Sequence, residues 1–156
     1  MPALTAVLHT SNDALRLGRV LETLYPCDEI VVVDHGSSDG TLRVAREYGA
    51  RVVTAKQKSI AHLIAGGDAG WILCLDPRES LSEGLAASLF EWKTESVQSS
   101  AFSVFLREET ADGWVEHPEA ETRLVPSNWN RWRGNLPSSE RSAVALEGEL
   151  LRFVLP

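Results

Sequence analysis

Apolar and polar positions along residues 1–95 follow a repeating order of strand-like runs and helical stripes. Four short apolar runs predict strands at Leu4–His9, Ile30–Val33, Arg51–Thr54 and Trp71–Leu75. The second and fourth runs are unbroken, as expected of strands buried on both faces of a parallel sheet. Helices predicted between and after these runs make an alternating strand–helix pattern, which favours a parallel sheet with right-handed crossovers.

The predicted helices are marked by apolar residues at helical spacing. These stripes comprise Leu17, Val20, Leu21 and Leu24; Leu42, Val44, Ala45 and Tyr48; Ile60, Leu63 and Ile64 of a helix predicted over Lys56–Ala65; and Leu81, Leu85, Leu89 and Trp92. Side chains that can accept hydrogen bonds stand before them, so we predict N-caps. The predicted caps are Ser11 or Asn12, Ser38 or Asp39, and Ser80 in a capping box with Glu83.

From Ser99 onward the pattern changes to short strands and an irregular stretch. Strands are predicted at Ala101–Leu106, Trp114–His117 and Glu121–Val125, and a closing hairpin about Gly148 from Ala143–Glu147 and Leu150–Val154. We expect a single domain over residues 1–156. In this interpretation residues 96–156 add antiparallel strands to the sheet begun by residues 1–95.

Composition narrows the class of protein. The 156 residues are 44% hydrophobic and 24% charged, which suits one globular domain with a real core. A net charge of −7 argues against a nucleic-acid partner. Cys27 and Cys74 lack disulfide or zinc-site spacing, and no signal peptide or membrane-length apolar run is present, so we expect a cytoplasmic protein.

Two predicted strands end in aspartate. Asp34 follows Ile30–Val33 and leads into the turn residues 35–40, and Asp76 follows Trp71–Leu75. Ligands of open α/β sheets bind beyond the carboxyl ends of the strands, so both acids are expected to frame one site. A carboxylate there disfavours phosphate but accepts hydrogen bonds from a ribose hydroxyl or a base N–H.

The sequence around these acids resembles glycosyltransferase family 2, the nucleotide-diphospho-sugar transferases of the GT-A fold. The resemblance lies in residues 7–12, in 28–41 (DEIVVVDHGSSDGT), in 45–52 and in 70–76, and more faintly in 122–125 and 131–134. It implies a three-layer, Rossmann-like GT-A fold with a mostly parallel sheet. It also implies an inverting hexosyl- or glycosyltransferase that takes a UDP-type or other nucleotide-diphospho-sugar donor.

Site roles also follow from the resemblance. The nucleotide is expected against Thr10, Ser11, Asn12, Asp34, Gly36, Asp39 and Asp76. Within this set Asp34 would hold the uracil or ribose, Asp39 would support the loop, and Asp76 would stand near the diphosphate and a Mg²⁺ or Mn²⁺ ion. Glu79 is the candidate catalytic carboxylate, since the reaction needs a base for the acceptor hydroxyl. Lys58 lies in a loop that could reach the phosphates.

Departures from the family pattern raise a second hypothesis. The family's Asp-Ala-Asp-Glu is Asp76-Pro77-Arg78-Glu79 here, so a guanidinium replaces the second metal carboxylate and would repel the ion. Arg78 could itself neutralise a diphosphate. The family's long C-terminal acceptor region is also missing. The alternative function is therefore a degenerate module that binds a nucleotide-sugar without turnover.

His9, His35, His62 and His117 are interpreted as bystanders or packing residues, and Trp129 and Trp132 as core rather than sugar platforms. A receiver-like signalling domain is disfavoured because no acidic pair follows the first strand. Expected partners are a glycan or lipid-linked acceptor of the cell-envelope polysaccharide type, near the inner membrane face, and a second copy of the chain pairing through a sheet edge.

Overall fold

The computed structural model of the chain describes residues 2–55, 70–95 and 97–154. Within these ranges it contains the helices α1 Ala14–Glu22, α2 Thr41–Glu47 and α3 Glu83–Thr94. The strands are β1 Leu4–Thr10, β2 Glu29–Asp34, β3 Arg51–Thr54, β4 Trp71–Leu75, β5 Glu79–Leu81, β6 Phe102–Thr110, β7 Gly113–Glu116, β8 Glu121–Pro126, β9 Trp132–Arg133, β10 Leu136–Pro137 and β11 Val144–Arg152. The helix predicted at Lys56–Ala65, including Lys58 and His62, lies outside the described residues.

One sheet joins strands from both parts of the chain, in the order β3-β2-β1-β4-β8-β6-β11-β5 with β7 added beside β6. Strands β3, β2, β1 and β4 are parallel to one another. Strand β8 then pairs antiparallel with β4 and β6. The predicted α/β class, a parallel sheet extended by antiparallel strands from the C-terminal third, is confirmed. The sheet departs from the prediction in one place, because β11 runs parallel to β6.

The two faces of the sheet are covered differently. Residues of α1, α2 and α3 form the larger apolar cluster with one face of β1, β2 and β4. The opposite face forms a second cluster, which Trp129, Trp132 and Leu136 cover from the irregular segment after β8. Within the described ranges no helix has the length and apolar character needed to cross a bilayer.

The predicted closing hairpin about Gly148 is wrong. Residues 144–152 form the single strand β11, whose register shifts between Ala145 and Glu149. Gly148 has φ +91°, and a Cβ there would stand 2.3 Å from the Leu85 backbone nitrogen. The glycine therefore lets β11 pass the first turn of α3 by an irregularity in the strand instead of a chain reversal.

The N-caps also differ from prediction. Helix α3 begins after Ser82, whose hydroxyl accepts from the Leu85 N–H at 3.1 Å, while the predicted cap Ser80 lies inside β5. Asp13 precedes α1 and Gly40 precedes α2. Asn12 and Asp39, which were predicted as caps, instead form hydrogen bonds between the loops that follow β1 and β2.

Candidate functional site

A cleft of about 360 Å³ opens at the carboxyl ends of β1, β2 and β4, the edge where the sequence predicts a site. Strand β1 lies between the other two, so the residues that follow all three strands meet there. The cleft is lined by His9, Thr10, Ser11, Asp13, Arg16, His35, Asp76, Pro77, Arg78 and Asn135. The predicted convergence of the Asp34 and Asp76 strand ends is thus present, although the residue after β2 that lines the cleft is His35.

Asp34 lies beneath the cleft wall and is 6% exposed. Its Oδ1 accepts from the hydroxyls of Thr10 at 2.8 Å and Ser37 at 2.6 Å, and its Oδ2 from the backbone N–H of Ser37 at 2.8 Å and Gly36 at 3.1 Å. Burial alone would raise the pKa of Asp34, but these hydrogen bonds outweigh it and lower the pKa. The carboxylate oxygens of Asp34 therefore accept hydrogen bonds from the loop itself. A direct contact of Asp34 with a ribose or base stays a prediction.

Two further polar side chains fix the loop that follows β2. Asn12, at φ 54°, accepts through Oδ1 from the backbone N–H of Ser38 at 2.8 Å and Asp39 at 3.3 Å. Asp39 accepts from the Thr41 N–H at 2.9 Å and from the Ala14 N–H at 3.2 Å, so it connects the starts of α2 and α1. These contacts tie the loops after β1 and β2 into one rigid wall.

His9 and His35 form a pair on this wall. Nδ1 of His9 and Nε2 of His35 lie 2.9 Å apart, with the ring centroids 5.1 Å apart. Burial, followed by the neighbouring His35, lowers the pKa of His9 to about 4. His9 is therefore neutral near pH 7. The exposed ring of His35 presents a flat polar surface to the cleft, whereas the sequence predicts a bystander role for this residue.

Asp76 and Arg78 make the ion pair at the opposite wall. Arg78 donates from Nε to Oδ1 at 2.9 Å and from Nη2 to Oδ2 at 3.3 Å, and its backbone N–H also reaches Oδ1 at 2.9 Å. The side chains are 47% and 33% exposed. Burial raises the pKa of Asp76, but the contacts with Arg78 outweigh it and lower the pKa.

Glu79 lies directly behind this pair and is fully buried. Arg123 donates to its two oxygens at 2.6 and 2.9 Å, Arg152 donates to Oε2 at 2.8 Å, and the Asp76 N–H donates to Oε1 at 2.8 Å. Burial raises the pKa of Glu79, but Arg123 outweighs it and the pKa is lowered. A carboxylate so enclosed has no access to an acceptor hydroxyl, so this geometry disfavours the catalytic role predicted for Glu79.

The side chains around Asp76 do not fit a divalent cation. Hard cations take several oxygen ligands, and both Asp76 oxygens already accept from Arg78. No group of three His, Cys, Asp or Glu side chains able to hold a metal ion occurs in residues 2–55, 70–95 and 97–154. The guanidinium of Arg78 occupies the place that a second carboxylate would need.

The structure also brings in residues that the sequence interpretation missed. Arg16 from the first turns of α1 and Asn135 from the β9–β10 turn line the cleft. One feature of the sequence indicates that Arg123 is buried, because in a strand it lies on the same face as the apolar Val125. A buried arginine must be paired inside the protein. No feature of the sequence indicated that Arg152 would bind the same carboxylate, Glu79, as Arg123 does.

A second, larger cavity of about 610 Å³ lies on the C-terminal side of the sheet. Its polar lining includes His117, Glu119, Glu121, Arg133, Ser139 and Arg152. Arg152 donates to Glu79 Oε2 at 2.8 Å, and Glu79 Oε1 accepts from the Asp76 N–H at 2.8 Å. Glu79 thus connects the lining of the second cavity to the Asp76 wall of the first cleft.

The chain is similar to proteins named glycosyltransferases. It is 35% identical over 92 residues to an uncharacterized glycosyltransferase of Rickettsia felis, a match covering 54% of this chain and 32% of that protein. It is 42% identical over 55 residues to the 4,4'-diaponeurosporenoate glycosyltransferase of Staphylococcus aureus, covering 33% of this chain and 14% of that protein. The resemblance to glycosyltransferases is thereby confirmed. The matches span about a third or less of these relatives' own length, and no family model matches the chain.

Solved structures give a weaker likeness. Glucosyl-3-phosphoglycerate synthase from Mycobacterium tuberculosis, in complex with Mn²⁺, UDP and glucosyl-3-phosphoglycerate, is similar with a TM-score of 0.46 and 18% identity. That likeness covers 69% of this chain and 43% of the synthase. A likeness at this TM-score transfers no ligand, metal or activity to the present chain.

Proposed function

We propose that this chain is a glycosyltransferase of the family 2 type that binds a nucleotide-diphospho-sugar in the cleft between His35 and Arg78. The observation that carries the proposal is the preorganised loop after β2. Asp34, Asn12 and Asp39 together accept from backbone N–H groups of residues 14, 36–39 and 41. Such a loop lies at the carboxyl edge of a parallel sheet, which is where ligands of open α/β sheets bind. Curated relatives named glycosyltransferases support the same class.

The lining of the cleft suits both parts of such a donor. His35 and the polar groups of Thr10 and Ser11 offer a flat, hydrogen-bonding surface to a nucleoside. Arg16 and Arg78, which also line the cleft, offer guanidinium groups, which bind phosphate oxygens in a bidentate manner. In this assignment Asp34 supports the donor through the loop that it shapes.

The proposed reaction is a displacement at the anomeric carbon. The acceptor oxygen forms a bond to that carbon while the bond to the diphosphate oxygen breaks, and the nucleoside diphosphate leaves with the electron pair. When the diphosphate takes Arg78, Asp76 is released and can accept the acceptor's proton. The second cavity, whose lining residue Arg152 is connected to Asp76 through Glu79, is the proposed place for a glycan or lipid-linked acceptor.

A second candidate function is a binding module without turnover. It is favoured by two observations, the closed Asp76–Arg78 pair and the enclosure of Glu79, because together they leave no uncommitted carboxylate at the Asp76 wall within the described ranges. Such a module would hold the donor in the same place. It would differ only in failing to release a sugar.

Calorimetric titration with UDP, GDP, ADP and dTDP, followed by incubation with the sugar derivatives of whichever nucleotide binds, tests both functions. We expect one nucleoside diphosphate to bind and the free nucleotide to appear slowly from its sugar derivative through hydrolysis. Binding without any release of the nucleotide, even with candidate acceptors added, would favour the binding module. Absence of binding across the panel would refute both functions.

A further inference from the structure

We infer that the diphosphate is bound here without a divalent cation, because Arg78 changes partner from Asp76 to the phosphate oxygens. This inference rests on the proposed function, since it needs a nucleoside diphosphate in the cleft. The guanidinium of Arg78 supplies the positive charge in place of the ion. Asp76, the residue expected to hold a metal, serves instead as the resting partner of that arginine.

Among the residues that the structure describes, the side chains at the cleft do not form a cation site. Asp76 receives three hydrogen bonds from Arg78, two of them on Oδ1. The other cleft carboxylate, Asp13, accepts from the Ser11 N–H at 2.8 Å and lies 3.5 Å from Arg16 Nε. A Mg²⁺ or Mn²⁺ ion would have to displace a guanidinium and then complete its shell almost wholly from water.

Arg78 is placed to make the exchange. Its backbone is held on both sides, by the N–H bond to Asp76 Oδ1 and by the Phe153 N–H donating to the Arg78 carbonyl at 2.8 Å. Its side chain is 47% exposed. An exposed ion pair contributes little stability, so leaving Asp76 costs little, whereas a diphosphate offers a doubly charged, bidentate partner. The side chain can therefore turn without moving the wall.

Arg16 supplies a second cationic group to the lining of the cleft. Its Nε is buried, makes no hydrogen bond within the described part of the chain, and forms an ion pair with Asp13 Oδ1 at 3.5 Å. Like Arg78, it is a guanidinium beside a carboxylate in the cleft, and its N–H groups can donate to an anion. Arg16 and Arg78 together carry two positive charges, the same total as one divalent ion.

Calorimetry of the full chain with the nucleoside diphosphate that it binds, in EDTA and in excess Mn²⁺, tests the inference. We expect equal affinity in both buffers. Arg78→Ala should weaken binding about 10- to 100-fold in both, as expected for losing hydrogen bonds to a charged group, and Arg78→Lys should fall between. Arg46→Ala, which removes an exposed arginine from α2, is the matched control and should leave the affinity unchanged.

Arg78→Asp gives the sharpest outcome, since it restores two carboxylates around Pro77. We expect this variant to bind the nucleotide only when Mn²⁺ is present. Wild-type binding that EDTA abolishes and Mn²⁺ restores would overturn the inference while leaving the proposed function intact. No binding by the wild type to any nucleoside diphosphate in either buffer would instead remove the proposed function, and this inference with it.

Discussion

Asp76 and Glu79, three residues apart after β4, each form an ion pair with an arginine. The two pairs differ chiefly in their exposure to solvent. Asp76 and Arg78 face the cleft, with side chains 33% and 47% exposed. Glu79 and Arg123 are both fully buried behind it. The chemical groups are the same, but only the exposed pair can exchange partners with a ligand. Burial, more than residue type, therefore decides which acid in the Asp-Pro-Arg-Glu turn is available for function.

The buried pair of Glu79 and Arg123 belongs to a network that connects several strands of the sheet. Glu79 belongs to β5, Arg123 to β8 and Arg152 to β11, and Arg123 also donates to the Cys74 carbonyl of β4 at 3.1 Å. Four strands are thus joined at the point where the chain turns into the cleft. The network fixes the end of β4, so that Asp76 and Arg78 are held at a defined place in the wall.

The largest effect is expected from Glu79→Ala. Removing one partner of a buried pair leaves uncompensated charge, here on Arg123, and typically costs about 3–5 kcal/mol in the free energy of unfolding. Urea denaturation measures it. Glu121→Ala is the matched control, because Glu121 also contacts Arg123 but is 40% exposed, and it should cost much less. Equal losses in the two variants would contradict the importance assigned to burial.

The sequence predicted the parallel half of the sheet well, because buried strands and helical stripes have strong local patterns. Strands β2, β3 and β4 lie within a residue of their predicted bounds. The C-terminal third was harder. Gly148 was interpreted as a turn, whereas its positive φ serves the close approach of β11 to α3, a tertiary contact that no local pattern encodes.

Asp34→Ala should produce the next largest effect, on the cleft and not on the buried network. Four hydrogen bonds that shape the loop after β2 would be lost. We expect nucleotide affinity to fall about 10- to 100-fold, and Asp34→Asn to retain part of it. Calorimetry under conditions where all variants are folded is the measurement. If Glu79→Ala weakened binding as much as Asp34→Ala, the separation of the two regions would be wrong.

The site was only partly predictable for a physical reason. Strand ends locate an edge of the sheet, so the positions of Asp34 and Asp76 followed from the pattern. The direction of each side chain did not, since Asp34 turns into its own loop while His35 reaches the cleft. Arg16 and Asn135 come from segments with no marking in the sequence, and only the packed structure brings them to the same cleft.

His9 gives a smaller, pH-dependent effect. Its pKa falls from 6.5 to about 4 in the folded state, so the unfolded chain takes up the proton first. Stability from this residue is therefore complete above pH 6.5 and is lost as the pH falls toward 4. His9→Gln should flatten the fall of Tm over that range. His117→Gln, which removes a histidine from the second cavity, is the control. An identical slope of Tm against pH in the wild type and in His9→Gln would refute the assignment.

The smallest effect on stability is expected from Asp76→Asn. An exposed ion pair contributes about 0–1 kcal/mol, so urea denaturation should scarcely distinguish the variant from the wild type. The affinity of this variant for the nucleoside diphosphate is a second measurement of whether the exposed pair exchanges partners. Because the substitution weakens the resting partner of Arg78, the nucleoside diphosphate should bind as tightly as before or a few-fold tighter, while transfer of the sugar is lost. A loss of affinity as large as that of Arg78→Ala would mean that Asp76 itself holds the ligand, and the exposed pair would then not be an exchangeable one.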